Sequence, residues 1–231
     1  MKLAVVPARG GSKRIPRKNI QAFCGKPIIV WSIEAAHESR CFDSLIVSTD
    51  DEAIAEVARQ AGAEVPFMRP AALSDDHAGT AAVVRHAIGW CTDHGQVPEH
   101  VCCIYATAPF ITGRDLRQGL AALQEQDVRF VFPVTRYSSP IQRAIRVDGQ
   151  GRVEMFHPEH ASSRSQDLEP AYHDAGQFYW GTAAAWLSGD ALFSSEAAAI
   201  VLPTGRVQDI DTPEDWTQAE AKFRLQQERL T

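Results

Sequence analysis

The sequence predicts an α/β protein with a mostly parallel sheet, and two observations lead to this fold class. Four apolar runs of strand length recur along the chain, and segments with a helical spacing of apolar residues lie between them. This alternation is typical of parallel sheets, because each helix returns the chain to the edge where the next strand begins. The runs are LAVVPA (3–8), SLIVST (44–49), HVCCIYA (100–106) and VRFVFPVT (128–135).

The segments between the strands carry signals of helix starts. Residues 27–38 begin with Pro27, which suits the first position of a helix because its missing N–H needs no partner there. Residues 49–61 open with Thr49 and Glu52 at the spacing of a capping box. These helices, and a closing helix from Pro213, are expected to cover the sheet.

The regular alternation stops near Tyr137. Residues 137–172 are polar and irregular, and DGQG at 148–151 predicts the turn of a hairpin. The apolar segment 176–187 then predicts a return to the sheet. We therefore predict a single domain over residues 1–231 with a small inserted lobe at about 137–172, called the polar lobe below.

Composition excludes several classes of protein. With 231 residues, 45% of them hydrophobic, the chain can bury one sizeable core. A net charge of −6 argues against binding to nucleic acid, which requires a broad basic surface. The five cysteines lack zinc-site spacing and are expected to be mostly buried thiols in a reducing compartment. No signal-peptide pattern or membrane-length apolar stretch occurs, so we expect a cytoplasmic protein without membrane association.

Residues 8–19, called the basic loop below, concentrate positive charge directly after the first strand. Its five cations are Arg9, Lys13, Arg14, Arg17 and Lys18. The Gly10-Gly11 turn can point free backbone N–H groups at an anion, while the spacing fits neither the dinucleotide fingerprint nor the P-loop. No acidic residue precedes Glu34, so the cations lack local partners. We predict a site for a small polyanion such as a triphosphate, with a solvated surface loop as the alternative.

A pair of carboxylates occurs near the other end of the chain. VQDIDTPEDW (207–216) places Asp209 and Asp211 two residues apart, so both side chains would lie on one face of a strand. Two hard oxygen ligands side by side suit Mg²⁺. Alternatively, Asp211 or Thr212 caps the following helix with Asp215 completing a capping box, and the motif can do both. Together with the basic loop, these acids would form a phosphoryl or nucleotidyl transfer site.

Four segments together resemble one family, the cytidylyltransferases that activate acidic sugars, typified by CMP-N-acylneuraminate synthetases. They are PARGGSKRIPRKN (7–19), IVSTDDEAIAEVARQAGAEV (46–65), RPAALSDD (69–76) and DIDTPEDW (209–216). The resemblance covers nearly the whole chain. It implies a Rossmann-like three-layer nucleotidyltransferase fold, CTP and an acidic nine-carbon sugar as substrates, Mg²⁺ as the cofactor, and a homodimer to which the polar lobe contributes.

The resemblance also implies roles for individual residues. Lys18 resembles the lysine near the α-phosphate, and Arg69 resembles the arginine that helps to read cytosine, although Arg69 can instead be a surface residue before a turn. Lys18, Lys13, Arg9 and Asp211 are expected to be catalytic, and Asp209 with Asp211 to hold the metal. The expected nucleotide site comprises Ala8, Arg9, Gly10, Ser12, Lys13, Lys18, Asn19, Arg69 and Ser74.

The segments that face the sugar in this family depart from the sialic acid enzymes. Tyr105, in YATAPF (105–110), stands where those enzymes have Gln, and Ala175-Gly176 replaces their Asn-Gly. The variants look most like the pseudaminic acid branch of the family. The predicted reaction converts CTP and pseudaminic acid to CMP-pseudaminic acid and pyrophosphate. N-acetylneuraminate, legionaminate and ketodeoxyoctonate are alternative sugars, and a non-catalytic CTP-binding module is an alternative class.

Seven residues are predicted to contact the sugar, each with packing or surface exposure as its alternative role. Arg143 and Arg164 suit the sugar carboxylate, because a guanidinium grips a carboxylate with two hydrogen bonds. The other predicted contacts, to hydroxyl and acylamino groups, are Tyr105, His173, Asp174, Gln177 and Tyr179.

Overall fold

The computed structural model describes residues 1–74 and 79–228. The strands are β1 (Lys2–Pro7), β2 (Ala22–Phe23), β3 (Lys26–Pro27), β4 (Ser44–Ser48), β5 (His100–Ile104), β6 (Phe130–Arg136), β7 (Ile145–Val147), β8 (Val153–Met155), β9 (Tyr172–Asp174), β10 (Phe178–Thr182) and β11 (Ala197–Leu202). The helices are α1 (Ile28–Ser39), α2 (Glu52–Gln60), α3 (Thr80–Asp93), α4 (Gly113–Glu125), α5 (Ala183–Ser188) and α6 (Pro213–Glu228). The closing helix predicted from Pro213 is thus confirmed.

The main sheet has seven strands in the order β11-β6-β10-β5-β1-β4, with β9 paired to β6 beside this path. Strand β1 is parallel to β4 and β5, and β6 is parallel to β11. Strand β10 is antiparallel to both β5 and β6, and β9 is antiparallel to β6. Five strands therefore point one way and two point the other, which confirms the predicted α/β class with a mostly parallel sheet.

The reversed strands follow from the position of the polar lobe. The chain leaves β6 at its carboxyl end, and the lobe begins at the next residue. When the chain returns from that edge, β9 and β10 have to run back down the sheet. The sequence analysis located this return near residue 176 but gave neither its direction nor the strands β9 and β11. The same topology places β9 at the carboxyl edge, where ligands bind in α/β sheets.

Helices cover both faces of the sheet and give three layers. On one face, Ile33 of α1 packs in the same buried cluster as Val6 of β1. On the other face, Val84 of α3 and Trp186 of α5 share a cluster with Val5. Neighbouring residues of β1 thus point to opposite faces, and both faces are apolar, as expected for a strand covered on both sides.

Helix α2 begins later than the sequence analysis predicted. Its N-cap is Asp51, whose carboxylate accepts the N–H groups of Ala53 at 2.8 Å and Ile54 at 3.1 Å. The predicted capping box of Thr49 and Glu52 is therefore wrong. Thr49 instead accepts the Asp51 N–H with its hydroxyl at 3.2 Å. Because Asp51 caps the helix, its carboxylate is fixed at the carboxyl edge of the sheet, close to the basic loop.

The polar lobe contains the hairpin that its turn sequence predicted. Strands β7 and β8 pair antiparallel, with Ile145 opposite Met155 and Val147 opposite Val153. The side chains of Ile145, Val147 and Val153 remain 53%, 62% and 67% exposed. An isolated two-stranded hairpin is marginally stable in water, so this apolar face needs a covering surface to hold its shape.

Gly181 in β10 is required by close packing. A Cβ at this position would lie 2.6 Å from the Phe130 ring and 2.8 Å from the Trp186 indole nitrogen, and both neighbours are buried. We expect Gly181→Ala to lower the free energy of unfolding by about 1–3 kcal/mol, because an overpacked core forces its neighbours to move. Chemical denaturation measures this loss. Gly89→Ala is the control, since nothing lies within 4 Å of that added carbon; an equal effect of both substitutions would contradict this packing argument.

All five cysteines are free thiols, and Cys41, Cys91, Cys102 and Cys103 are buried, as predicted. Burial raises the pKa of the Cys103 thiol, so this group stays protonated in the core. Among the helices of residues 1–74 and 79–228, none combines the length and the apolar character needed to cross a bilayer.

Candidate active site

The conformation of the basic loop is held by a contact to its own backbone and by a contact to a residue just after β4. The Gly10 N–H donates to Asp50 Oδ1 at 2.9 Å, and the Asn19 side-chain amide donates to the Arg9 carbonyl at 2.8 Å. Gly10 has no room for a side chain, because a Cβ there would lie 2.7 Å from Asp51 Oδ2. Asp50 therefore holds the loop by a hydrogen bond, and Asp51, the N-cap of α2, leaves room only for glycine at position 10.

The loop cations and Asp211 meet although almost the whole chain separates them. Lys18 Nζ donates to the Ile210 carbonyl at 2.6 Å and lies 3.4 Å from Asp211 Oδ1. Arg14 contacts the other carboxylate oxygen of Asp211 at 3.0 Å. Arg17 lies 4.0 Å from Asp51. The cations thus have long-range acidic partners, which the absence of nearby acids in the sequence did not reveal.

A cavity of about 570 Å³, called the central cavity below, opens between the loop and the carboxyl ends of β1 and β5. Its polar and charged walls suit a charged ligand more than an apolar one. Its lining residues are Pro7, Arg9, Ser12, Lys13, Arg14, Lys18, Asn19, Arg69, Leu73, Thr80, Val83, Tyr105, Ala106, Thr107 and Asp211. The structure therefore brings together eight of the residues that the sequence analysis selected.

Arg69 is buried at the wall of the central cavity, with 6% of its surface exposed. Its Nε donates to the Ser74 hydroxyl at 3.2 Å, and its guanidinium lies 3.6 Å from Asp50. Burial lowers the pKa of Arg69, Asp50 opposes that shift, and the nearby charge of Arg9 adds to it. The alternative of a surface arginine is thus wrong. The last two residues of the 69–76 segment lie outside the described residues.

The remaining predicted nucleotide-site residues adjoin the central cavity without lining it. Ala8 is buried where the basic loop leaves β1, and its N–H donates to the Ser48 carbonyl at 3.0 Å. Gly10 and Ser74 hold the loop and Arg69 through the contacts given above. Their positions allow them to shape the walls of the nucleotide site.

Residues 207–212, called the aspartate segment below, serve the helix cap and the central cavity at once. The Thr212 hydroxyl accepts the Asp215 N–H at 3.2 Å, and Asp215 accepts the Thr212 N–H at 2.8 Å. The capping box thus consists of Thr212 and Asp215, which leaves the Asp211 side chain available to the cavity. Residues 207–212 form no strand, so the predicted strand at Asp209 and Asp211 is wrong.

Asp209 interacts electrostatically with Asp211 across the intervening buried Ile210. Partial burial and the Asp211 charge raise the pKa of Asp209, and Lys18 opposes this shift. In the described residues, no group of three or more His, Cys, Asp or Glu side chains could hold a metal ion. Asp211 lines the central cavity, and Asp209 does not. A carboxylate at a cavity lined by cations fits Mg²⁺, which commonly binds through one or two carboxylates together with substrate phosphates.

The predicted sugar contacts divide into two groups. Tyr105 lines the central cavity, and its ring lies 5.3 Å from that of Tyr179, whose hydroxyl donates to Asp174. Burial raises the pKa of both tyrosines, so both phenols are neutral near pH 7. His173 lies beside Asp174 and, like it, lines a separate cavity of about 390 Å³. Tyr105, Tyr179 and Asp174 thus form one polar row, whereas the His173 ring contacts Tyr137 and the Asp174 backbone carbonyl.

The other predicted sugar contacts have different surroundings. Gln177 is buried, and its side-chain amide donates to the Arg206 carbonyl at 2.7 Å. Arg143 lies 3.5 Å from the Ser165 hydroxyl, and Arg164 forms two hydrogen bonds with Asp167, of 2.7 and 3.1 Å. Neither arginine lines the central cavity of its own chain.

Several site residues escaped the sequence analysis. Asp50 and Asp51 follow β4 after a single residue, Thr49, and the rule that parallel strands end at one edge would have placed them beside the basic loop. Arg14 was counted as a loop cation but was not selected for the site. The other lining residues without a prediction carry no chemical signal of their own; they are Pro7, Leu73, Thr80, Val83, Ala106 and Thr107.

Comparisons with known proteins agree with this geometry. The profile of a family described as "Cytidylyltransferase" matches residues 3–185. A pseudaminic acid cytidylyltransferase of Campylobacter jejuni (strain 81-176) is 46% identical over 98% of this chain and 97% of its own length. A CMP-N,N'-diacetyllegionaminic acid synthase of Legionella pneumophila is 33% identical over 99% of this chain and 98% of its own.

A solved structure supports the fold assignment. The structure of a CMP:2-keto-3-deoxy-manno-octonic acid synthetase complexed with CTP superposes with a TM-score of 0.70, covering 97% of this chain and 99% of its own at 16% identity. The Rossmann-like nucleotidyltransferase fold is thus confirmed. From the match over residues 3–185 and from the identity to curated relatives, the chain belongs to the cytidylyltransferase family and is a nucleotidyltransferase enzyme.

Proposed function

We propose that this enzyme transfers CMP from CTP to the anomeric hydroxyl of pseudaminic acid, a 5,7-diacetamido nonulosonate, and releases pyrophosphate. The observation that carries the proposal is the meeting of Lys18 and Asp211 at one cavity, with Tyr105 on its wall. The Campylobacter jejuni relatives named as pseudaminic acid cytidylyltransferases, at 46% and 47% identity, support the choice of sugar.

The basic loop would bind and orient the triphosphate. Lys13 and Lys18 lie on the cavity wall with Arg9, where their charges would stabilise the negative charge that develops on the phosphates. The N–H groups of Gly10 and Ser12 are already bonded, to Asp50 and to the Gly10 carbonyl, so any backbone donor to the phosphates would come from the other residues of the turn. Alignment of the sugar hydroxyl with the α-phosphate, opposite the departing pyrophosphate, would supply much of the remaining rate acceleration.

We propose Mg²⁺ as the cofactor, held by Asp211 with Asp209 as a direct or water-bridged partner. When bound, the ion neutralises phosphate charge and makes the attacking hydroxyl more acidic. Lys18, which contacts both Ile210 and Asp211, would keep the Asp211 carboxylate facing the phosphates. Asp215 would keep the following turn in place through the capping box.

On the sugar side, Tyr105 is the side chain best placed to meet the acceptor. We propose that the row of Tyr105, Tyr179 and Asp174, with His173 on the same strand as Asp174, binds hydroxyl and acylamino groups, since it offers neutral phenols next to a carboxylate. Gln177 would act from behind this row, because its backbone carbonyl accepts the Tyr105 N–H at 2.8 Å.

We also propose a homodimer in which the polar lobe covers a second copy of the chain. The exposed apolar face of β7 and β8 provides a surface for that contact. Arg143 and Arg164, which lie away from the central cavity of their own chain, would then reach the sugar carboxylate in the partner's site, with Arg164 exchanging its bonds to Asp167 for that contact. The free thiols and the use of CTP are consistent with a place in the cytoplasm.

The dimer proposal has a direct test. We expect Val147→Glu combined with Val153→Glu to shift the protein from dimer to monomer in sedimentation, because buried like charges oppose association. Glu154→Gln, on the other face of the same hairpin, is the control and is expected to leave the dimer intact. A wild-type protein that sediments as a monomer at micromolar concentration would contradict the proposal.

The reaction is tested by measuring pyrophosphate release from CTP and Mg²⁺ with a panel of sugar acids: pseudaminic, N-acetylneuraminic, legionaminic and ketodeoxyoctonic acids. We expect the highest kcat/KM with pseudaminic acid. A higher value with another acid would keep the chemistry and replace the sugar, and the 33% identity to the legionaminic acid synthase makes that acid the second candidate. CTP binding without pyrophosphate release from any sugar would favour a non-catalytic nucleotide-binding module.

A further inference from the structure

The aspartate segment forms neither helix nor strand, and two lysines from other parts of the chain bond to its backbone. Lys18 binds the Ile210 carbonyl at 2.6 Å, and Lys222 of α6 binds the Val207 carbonyl at 3.3 Å and the Gln208 side chain at 2.6 Å. The residue just before the segment, Arg206, is held in the protein body by its own side chain, which bonds to Asp115 and to the Phe110 carbonyl. The aspartate segment thus continues directly from a residue whose side chain is anchored elsewhere in the fold.

Arg206 is fixed on the start of helix α4. Its guanidinium forms a two-point ion pair with Asp115, with one N–O distance of 3.1 Å, and donates to the Phe110 carbonyl at 3.0 Å. The Asp115 side chain is only 4% exposed, and its carboxylate also accepts the Thr112 N–H at 3.0 Å in the capping box of α4. Both partners of this ion pair are thus immobilised by further hydrogen bonds.

Gln177 connects this anchor to the opposite wall of the site. Its side chain donates to the Arg206 carbonyl at 2.7 Å, while its own backbone carbonyl accepts the N–H of Tyr105. A buried residue thus links the strand end that carries Tyr105 to the residue that precedes the aspartate segment. A displacement of Arg206 would therefore move both Tyr105 and the aspartate segment, which lie on opposite walls of the site.

We infer that Arg206, clamped by Asp115, is a positioning residue that holds the aspartate segment so that Asp211 faces the basic loop. The expected effect on catalysis rests on the proposed function. The expected effect on the position of the aspartate segment rests only on the contacts above. Arg206 lines no part of the central cavity and acts through the backbone of residues 207–211. Groups that orient metal ligands from behind change metal affinity or activity by about 10- to 100-fold when they are altered.

The test uses Arg206→Lys in the full chain. Lysine keeps the charge, but it cannot form the two-point pair with Asp115 and reach the Phe110 carbonyl as well. We expect a melting temperature close to that of the wild type, about tenfold faster hydrogen exchange in the peptide 204–212, and an increase of about tenfold in the Mg²⁺ concentration for half-maximal pyrophosphate release. The KM for the sugar is expected to change less than twofold.

Arg129→Lys is the matched control. Arg129 also forms ion pairs, with Asp190 and Glu196, but it precedes β6 at the opposite edge of the sheet. The Arg129→Lys substitution is expected to change neither the hydrogen exchange of the peptide 204–212 nor the Mg²⁺ dependence of pyrophosphate release. If Arg206→Lys does not fold, Asp115→Asn is measured in the same way; it leaves Arg206 a neutral acceptor and is expected to shift both readouts in the same direction.

Unchanged exchange and unchanged Mg²⁺ dependence in a folded variant would overturn the inference. So would a loss of activity that only matches the unfolded fraction, with the Mg²⁺ dependence intact. A wild-type enzyme that releases no pyrophosphate with any sugar acid would reject the proposed function instead. In that case hydrogen exchange in the absence of substrates still decides whether Arg206 holds the aspartate segment.

Discussion

Asp211→Asn is expected to reduce kcat by at least about a hundredfold while leaving the fold intact. The substitution keeps the size of the side chain but removes the charge that faces Lys18 and Arg14. It also removes one of the two carboxylates proposed to hold Mg²⁺, whose stabilisation of charge in the transition state is worth several kcal/mol. Steady-state pyrophosphate release at saturating CTP and sugar measures the effect.

Glu214→Gln is the control for this substitution. It makes the same chemical change three residues later, at an exposed position in the first turn of α6. It is expected to retain wild-type turnover. Near-normal turnover of Asp211→Asn at saturating Mg²⁺ would remove the metal role from Asp211, and thermal unfolding of both variants shows whether a loss reflects chemistry or folding.

Lys18→Met is expected to lower kcat/KM for CTP by about 10²- to 10³-fold, mainly through kcat. The lysine ammonium lies between the Ile210 carbonyl and Asp211 on the cavity wall, where its charge would stabilise the transition state more than the bound substrates. Methionine preserves most of the side-chain volume. Steady-state kinetics, with the concentrations of CTP and of the sugar varied separately, give kcat and the KM of each substrate.

The control for Lys18→Met is Lys26→Met. Lys26 pairs with Glu34 and lies over the Trp31 ring, outside the central cavity. Lys26→Met is expected to leave kcat and the KM for CTP within twofold of the wild type. An effect of Lys18→Met that is confined to the KM of the sugar would contradict the position assigned to Lys18 at the phosphates.

The sheet core and the basic loop could be predicted because their signals are local. Apolar runs define β1, β4, β5 and β6, and a glycine turn followed by cations defines the loop within a dozen residues. The reversed direction of strand β10 could not be predicted, because it depends on the edge of the sheet at which the chain returns from the polar lobe. No property of its own residues distinguishes a parallel from an antiparallel partner.

The candidate site shows the same division. Lys18 and Asp211 were selected from motifs, and the sheet then brought them to within 3.4 Å. The clamp of Arg206 on Asp115 joins residues 91 positions apart and has no sequence pattern, because an ion pair of this kind depends only on the fold. The bond between the buried Gln177 side chain and the Arg206 carbonyl had no sequence signal either, and the contact of Gln177 with the sugar stays a prediction.

A crystal structure of the protein with CTP and Mg²⁺ bound tests the central claim most directly. The account predicts the triphosphate in the central cavity, with phosphate oxygens within about 3.5 Å of the Lys13 and Lys18 ammonium groups and the Asp211 carboxylate beside the same phosphates. Two results would contradict the claim. One is a triphosphate bound outside the central cavity, for example in the separate cavity of about 500 Å³ that Arg136 and Tyr137 line. The other is a triphosphate in the central cavity with Asp211 turned away from it.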